Sequence, residues 1–280
     1  MRNQSSHKAV SILGVLACSY FLTACGGGSK TDETTEKGHY QPQAGASWQW
    51  QLTGTINQEY SVDIYDIDLF DTSSELISEL HMSGHHVICY FSAGSYEPWR
   101  PDADQFEPAD LGYPMDGWPD ERWLDIRSNK VTQLMQSRLE LASSKGCDGV
   151  EPDNVDGYAN DSGFNLTAAD QLTFNRILAT QAHRLGLAIG LKNDLEQVND
   201  LVSYFDFAVN EQCTEFNECE LLLPFIEANK PVLSAEYNST YVNSASARKA
   251  LCDTMNNLAF STLILSEDLD DSIHFNCQAP

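Results

Sequence analysis

"GCDGVEPDNVDGY", residues 146–158, begins as a core strand and ends in acids. Gly-Cys-Asp-Gly-Val reads as a strand entering a core, yet Glu151, Asp153 and Asp156 follow within six positions. Side chains alternate faces along a strand, so Glu151 and Asp153 share one face. Carboxylates at the end of a buried strand need a use.

The same construction recurs along the chain. Short apolar runs at 48–54, 62–69, 86–94, 147–154, 187–194, 205–211, 231–238 and 261–269 read as eight strands. Helical patterns at 73–83, 128–145, 167–185, 195–203, 218–229 and 244–257 lie between them. This alternation predicts a parallel sheet, and eight such units within residues 46–280 predict an α/β fold, a single-domain (β/α)₈ TIM barrel. The connection 55–61 is too short for a helix, and 95–127, rich in Pro, Trp and Asp, reads as a large loop beside the site.

Most strands end in polar residues: Asp66 and Asp68, Ser92, Glu151 and Asp153, Lys192 and Asp194, Glu211, Glu236, Glu267. Active sites of such barrels gather at the C-terminal strand ends. Inward carboxylates raise one another's pKa, leaving one ionised and another protonated near neutrality. That pair suits glycoside hydrolysis, in which one acid protonates the leaving oxygen and the other attacks the anomeric carbon or activates water. Trp48, Trp50, Tyr90, Tyr96, Trp99, Trp118, Trp123 and Tyr237 offer rings on which sugars could pack. Asp156 is expected to cap the following loop.

Other chemistries lack their signatures. No G-x-S-x-G elbow is present, and no Walker or Rossmann glycine pattern follows a strand. No CxxC pattern signals a metal, and no cofactor is called for. "HMSGHH" (81–86) precedes a strand and reads as a helix end at the barrel's bottom.

The chain carries 41 acids against 16 Lys and Arg, a net charge of −25. Such a field repels nucleic acid and attracts cations, although solubility alone could account for it. Arg2, Lys8, the apolar run 9–24 and "LTAC" (22–25) read as an export signal whose ending resembles a bacterial lipobox, in which Cys25 is lipidated; a plain secretory signal cleaved nearby is the alternative. The expected product is an exported bacterial lipoprotein anchored to a membrane, the outer one where the cell has one, and monomeric. Residues 26–45 read as a flexible tether. Six further cysteines fit an oxidising compartment. The preferred pairs are Cys213 with Cys219 and Cys252 with Cys277; Cys89 and Cys147 are either free thiols or a third bridge.

Seven segments, from "WQWQLTG" and "VDIYDIDLFD" through "VICYFSAGSYEPWRPDA", "GCDGVEPDNVDGY", "GLKND", "FDFAVNEQC" and "PVLSAEY", together resemble glycoside hydrolase family 114, the endo-α-1,4-polygalactosaminidases. The resemblance implies a barrel that cuts α-1,4-linked galactosamine polymers, with Asp153 of "EPDN" as nucleophile and Glu211 of "NEQC" as general acid/base. It implies a sugar subsite lined by Asp66, Tyr90, Glu151, Lys192 and Glu236. Trp50, Ser92, Asn154 and Tyr237 at neighbouring strand ends are expected to complete it. The implied partner is a cationic amino-sugar polysaccharide, which an acidic cleft would suit. A non-catalytic carbohydrate-binding barrel and a hydrolase of another polysaccharide are the alternatives.

Overall fold

The structure, a computed structural model, describes residues 38–278. Eight parallel strands follow one another around the barrel in chain order: β1 (Trp48–Gln51), β2 (Ile64–Asp68), β3 (His86–Ser92), β7 (Gly149–Asp153), β8 (Ala188–Lys192), β9 (Phe207–Glu211), β10 (Val232–Glu236) and β11 (Ser261–Leu265). These are the eight expected strands. β12 (His274–Asn276) runs antiparallel beside β11. Between β11 and β1, Trp48 Nε1 donates to the Ser261 carbonyl at 2.9 Å and Leu52 N to Leu269 O at 3.0 Å.

The two-residue alternation divides the apolar residues into two cores. Trp48, Trp50, Ile64, Ile88, Phe207, Val209, Leu233 and Ala235 fill the barrel interior. Tyr65, Ile67, Val87, Phe91, Val150, Ile189 and Ala208 face the helices. Gly190 makes room inside: a Cβ there would lie 2.4 Å from the Phe207 ring.

The long helices begin where cap chemistry places them. Ser73 accepts from Leu76 N before α1 (Ser74–Met82), and Ser128 from Lys130 N before α2 (Asn129–Lys145). Thr167 and Asp170 form a reciprocal capping box at α3 (Ala168–Arg184). Each such cap contributes about 1 kcal/mol. Gly146, at φ 94°, ends α2 in the left-handed conformation that glycine alone adopts freely. The remaining helices are α4 (Val198–Leu201), α5 (Cys213–Phe216), α6 (Leu223–Glu227), α7 (Ser239–Asn243) and α8 (Ala245–Asn257). Among them α5 and α7 have no counterpart in the sequence reading.

The expected loop 95–127 carries its own antiparallel sheet, β4 (Ser95–Tyr96), β6 (Arg122–Leu124) and β5 (Leu111–Pro114), in that spatial order. Two buried arginines fasten the segment to the barrel. Arg100 binds both Asp68 oxygens, at 2.7 and 3.1 Å, and also Glu97. Arg138 of α2 binds both oxygens of Asp102 at 2.9 Å and donates to Ser92 O at 2.6 Å.

Both preferred disulfides are present, and Cys89–Cys147 is the third. With its ends 58 positions apart in sequence, Cys89–Cys147 constrains the unfolded chain by about 4 kcal/mol on the loop-entropy scale. Cys25 and the signal segment lie outside the described residues. Of the tether expected over 26–45, residues 26–37 also lie outside the described residues, and the rest is not free. His39 stacks on His183 at 4.2 Å and Tyr40 on His86 at 3.7 Å, so this stretch packs against the barrel's N-terminal end. "HMSGHH" is at that end as expected: His81 closes α1 and meets Asp148 at 2.8 Å. Among the described residues no helix is long and apolar enough to cross a membrane.

Candidate active site

A cleft of about 990 Å³ opens at the C-terminal strand ends. Lys192, the last residue of β8, stands at its floor with its ammonium among three carboxylates. Nζ is 3.0 Å from Glu151 Oε1, 3.3 Å from Asp153 Oδ1 and 3.3 Å from Glu211 Oε2. It also lies 4.7 Å from the centre of the Trp50 ring. Burial alone would push the Lys192 pKa down, but the charges of Asp153, Glu151 and Glu211 outweigh it and hold the group well above its ordinary value.

Asp153 and Glu211 line the cleft. The nearest oxygens of the two, each 3.3 Å from one nitrogen, are separated by no more than about twice that distance. Each takes a hydrogen bond from a tyrosine. Tyr90 Oη donates to Asp153 Oδ2 at 2.9 Å, and Tyr237 Oη to Glu211 Oε1 at 2.5 Å. Burial first, then the neighbouring carboxylates, raises both phenols well above the ordinary range, so they stay donors at any physiological pH.

Local backbone sets these directions. Asn154 is left-handed at φ 59° and donates its N–H to Asp153 Oδ1 at 2.7 Å. Its side chain donates to Ser92 Oγ at 2.9 Å. Gly94 admits this crossing, since a Cβ there would lie 1.7 Å from Asn154 O. Asn193, left-handed at φ 48°, accepts the Glu211 N–H at 3.0 Å through its side chain and so fixes the end of β9. Asn193 was missed: "GLKND" drew notice for its lysine, and nothing local marks the asparagine as a brace for a residue 18 positions away.

Four expected subsite residues serve below or outside the cleft. Asp66 and Glu151 are both fully buried beneath Lys192. Burial, then the Glu151 charge, raises Asp66 well above the carboxylate range, and Glu151 is raised to about 7, with burial leading. Neither Asp66 oxygen has an ordinary donor, nor has Glu151 Oε2. A proton carried by Asp66, the more strongly raised of the two, and donated to Glu151 would pair two of these three oxygens. Ser92 is buried and bonds Ser95 and Asn154. Glu236 follows Val232 and Ser234 on the outer face of β10 and accepts from Thr214 N at 2.9 Å. Parity decides this: Leu233 and Ala235 face the barrel interior, so Glu236 cannot, while Tyr237 can.

Asp156 departs from its expected role as well. It stands at a cap position, but its side chain makes no capping bond. It lines the cleft, raised to about 6 by burial and by Asp153. Trp48 lies wholly inside the barrel and Tyr96 packs edge-on against Phe106, so neither offers a sugar platform. Trp99, Tyr113 and Trp118 do line the cleft, at 57, 56 and 52 % exposure. Glu121, raised to about 7 chiefly by burial, joins them and accepts from Ser95 Oγ at 2.6 Å. Sequence reading passed over Tyr113 and Glu121, which sit in a loop without periodicity.

A family model of glycoside-hydrolase family GH114 matches residues 29–279. Among solved structures, Aspergillus fumigatus Ega3 in complex with galactosamine is 44% identical, with a TM-score of 0.80 over 84% of this chain and 96% of that one. The glycoside hydrolase domain of PelA from Pseudomonas aeruginosa superposes at TM-score 0.63 with 11% identity, over 82% of this chain and 96% of that one, a likeness of fold alone. No curated protein matches. The strand-end cleft, the carboxylates around Lys192 and the match over nearly the whole barrel agree: the chain belongs to glycoside-hydrolase family GH114 and is a glycosidase.

Proposed function

We propose that the protein is an endo-acting hydrolase of α-1,4-linked galactosamine polymers, with Asp153 as nucleophile and Glu211 as general acid/base. The observation that carries this reading is the single ammonium of Lys192, 3.3 Å from both carboxylates at the floor of an open cleft. Retaining glycosidases hold their two carboxyl groups about 5–5.5 Å apart and inverting ones about 6.5–9.5 Å. A shared cation at 3.3 Å from each favours the closer class.

Asp153 attacks the anomeric carbon as its charge passes to the sugar. Lys192 and Tyr90 hold the carboxylate on line, and the same ammonium stays to balance Glu211 once the acid has given up its proton. Glu211 protonates the leaving oxygen, then accepts a proton from the water that releases the product. The Asp66–Glu151 pair beneath Lys192 keeps the ammonium seated without adding two full charges to the floor.

Galactosamine, bound in the relative Ega3, carries an ammonium at neutral pH. Asp68, Asp71, Asp116, Glu121, Asp156 and Glu267 all line the cleft and suit a cationic chain. The deciding experiment is digestion of a partly de-N-acetylated α-1,4-galactosamine polymer by the full chain, with sizing of products. Early release of mixed oligomers supports the reading. Intact polymer, or monosaccharide as the sole early product, contradicts it.

We propose in addition that the chain is exported and anchored through acylated Cys25. "LTAC" after an apolar run supports this, and the three disulfides fit an oxidising compartment. Metabolic labelling tests it: wild type should carry an acyl chain and Cys25→Ala should not.

A further inference from the structure

At the opposite end of the barrel from the cleft, two histidines converge on one carboxylate. His39 Nε2 lies 3.0 Å from Asp206 Oδ1, and His183 Nε2 lies 2.9 Å from Asp206 Oδ2. The two imidazoles stack with centroids 4.2 Å apart and planes 12° from parallel. One donor atom from each of the three residues lies within 4.8 Å of the others. The residues come from three elements: the segment before β1, the last turn of α3, and the approach to β9. Their spacing in sequence therefore gives no motif.

From this geometry we propose that His39, His183 and Asp206 form a binding site for a divalent transition metal of the zinc class. Zinc takes imidazole nitrogen at about 2.0–2.1 Å and carboxylate oxygen at about 2.0–2.2 Å in a tetrahedron. The edges of that tetrahedron are about 3.3 Å; each nitrogen already lies near that distance from its own Asp206 oxygen, and the three donors, all within 4.8 Å of one another, have to draw together onto the ion. The two nitrogens converge by rotation of the rings. Asp206 is held in place by the Ile189 N–H, 3.0 Å from Oδ2. Lys230, the nearby ammonium, is turned onto the carbonyls of Val202 and Phe205 at 2.6 and 2.5 Å and leaves Asp206 to the histidines. His39 and His183 keep 18 and 32 % of their side-chain surface exposed, which gives the ion a route in and water a place as fourth ligand. Imidazole donors select zinc, copper or nickel over magnesium and calcium.

The consequence is mechanical. The ion joins the incoming chain to α3 and β9 and clamps the N-terminal segment beneath the barrel.

The test is equilibrium dialysis of the metal-stripped full chain against zinc ion, with the visible spectrum of the cobalt(II) form as second readout. Wild type should take up one zinc per chain and show the intense absorption of four-coordinate cobalt. Loss of an outer partner of a metal ligand already costs about 10–100-fold in affinity, so His39→Ala and His183→Ala should each weaken binding by at least about ten-fold. Glycosidase activity, housed at the other end, should persist in both and certify that they fold. No uptake by wild type, or uptake that neither substitution alters, overturns the proposal.

Discussion

Lys192 and Glu151 form an ion pair buried from solvent on both sides, with Nζ 3.0 Å from Oε1. Removing one partner of such a pair leaves the other uncompensated, at about 3–5 kcal/mol. Lys192→Met should therefore lower both stability and turnover. The stability loss should sit at the low end because Glu151, already raised to about 7, can take a proton instead. Without the ammonium its folded pKa rises further, so the deficit relative to wild type should widen as pH rises from 5 to 8. Denaturant midpoints at the two pH values measure this. An equal deficit at both would remove Glu151 from the account.

Asp194 makes a second pH prediction. Burial first, then Asp156, raises it to about 8, and Asn175 Nδ2 donates to it at 2.9 Å. A carboxyl raised in the fold binds more protons folded than unfolded, so its contribution to stability declines as pH climbs from about 4 to about 8. Asp194→Asn removes that decline. Asparagine also tolerates the left-handed φ of 49° found there. The variant's advantage in melting temperature should grow across that range and then level off. A constant difference would contradict the assignment.

Trp118, half exposed at the cleft rim, should bind a sugar ammonium through its ring face. An exposed cation–π contact is worth about 0.5–1 kcal/mol, so Trp118→Ala should raise KM for long cationic polymer about two- to five-fold and leave kcat unchanged. Short oligomers that do not reach the rim should show no change. Kinetics on a length series separates the cases.

The net charge of −25 predicts a salt effect. Screening shortens to about 8 Å near physiological ionic strength, so kcat/KM on a cationic polymer should fall as salt rises. An N-acetylated oligomer, if cut, should show far less dependence. Equal slopes would detach the acidic cleft from substrate choice.

Much of this was legible in residue order. The eight strands announced themselves because parallel strands covered on both faces are apolar runs, and their polar ends marked the site. Lys192, Asp153 and Glu211 were found because each closes a strand. Parity along a single strand was also readable, and it would have turned Glu236 outward had Leu233 and Ala235 been assigned to the interior. Depth was not readable: Asp66 and Asp153 look alike in sequence, and only packing places one under Lys192 and the other in the cleft. Nor were braces between distant residues, such as Asn193 to Glu211, or the folding of 95–127 around Arg100, because neither carries a periodic signal.

The central claim, that Asp153 attacks and Glu211 transfers protons, is tested most directly with Glu211→Gln and an α-galactosaminide bearing a good leaving group. That substrate needs little protonation, so the first step should survive. Steady turnover should fall by about 10²–10⁴-fold, the usual worth of general acid–base catalysis. The covalent sugar should accumulate, and mass spectrometry of the digested protein should place it on Asp153. An adduct on another carboxylate, or an Asp153→Asn protein with near-normal turnover, would contradict the account.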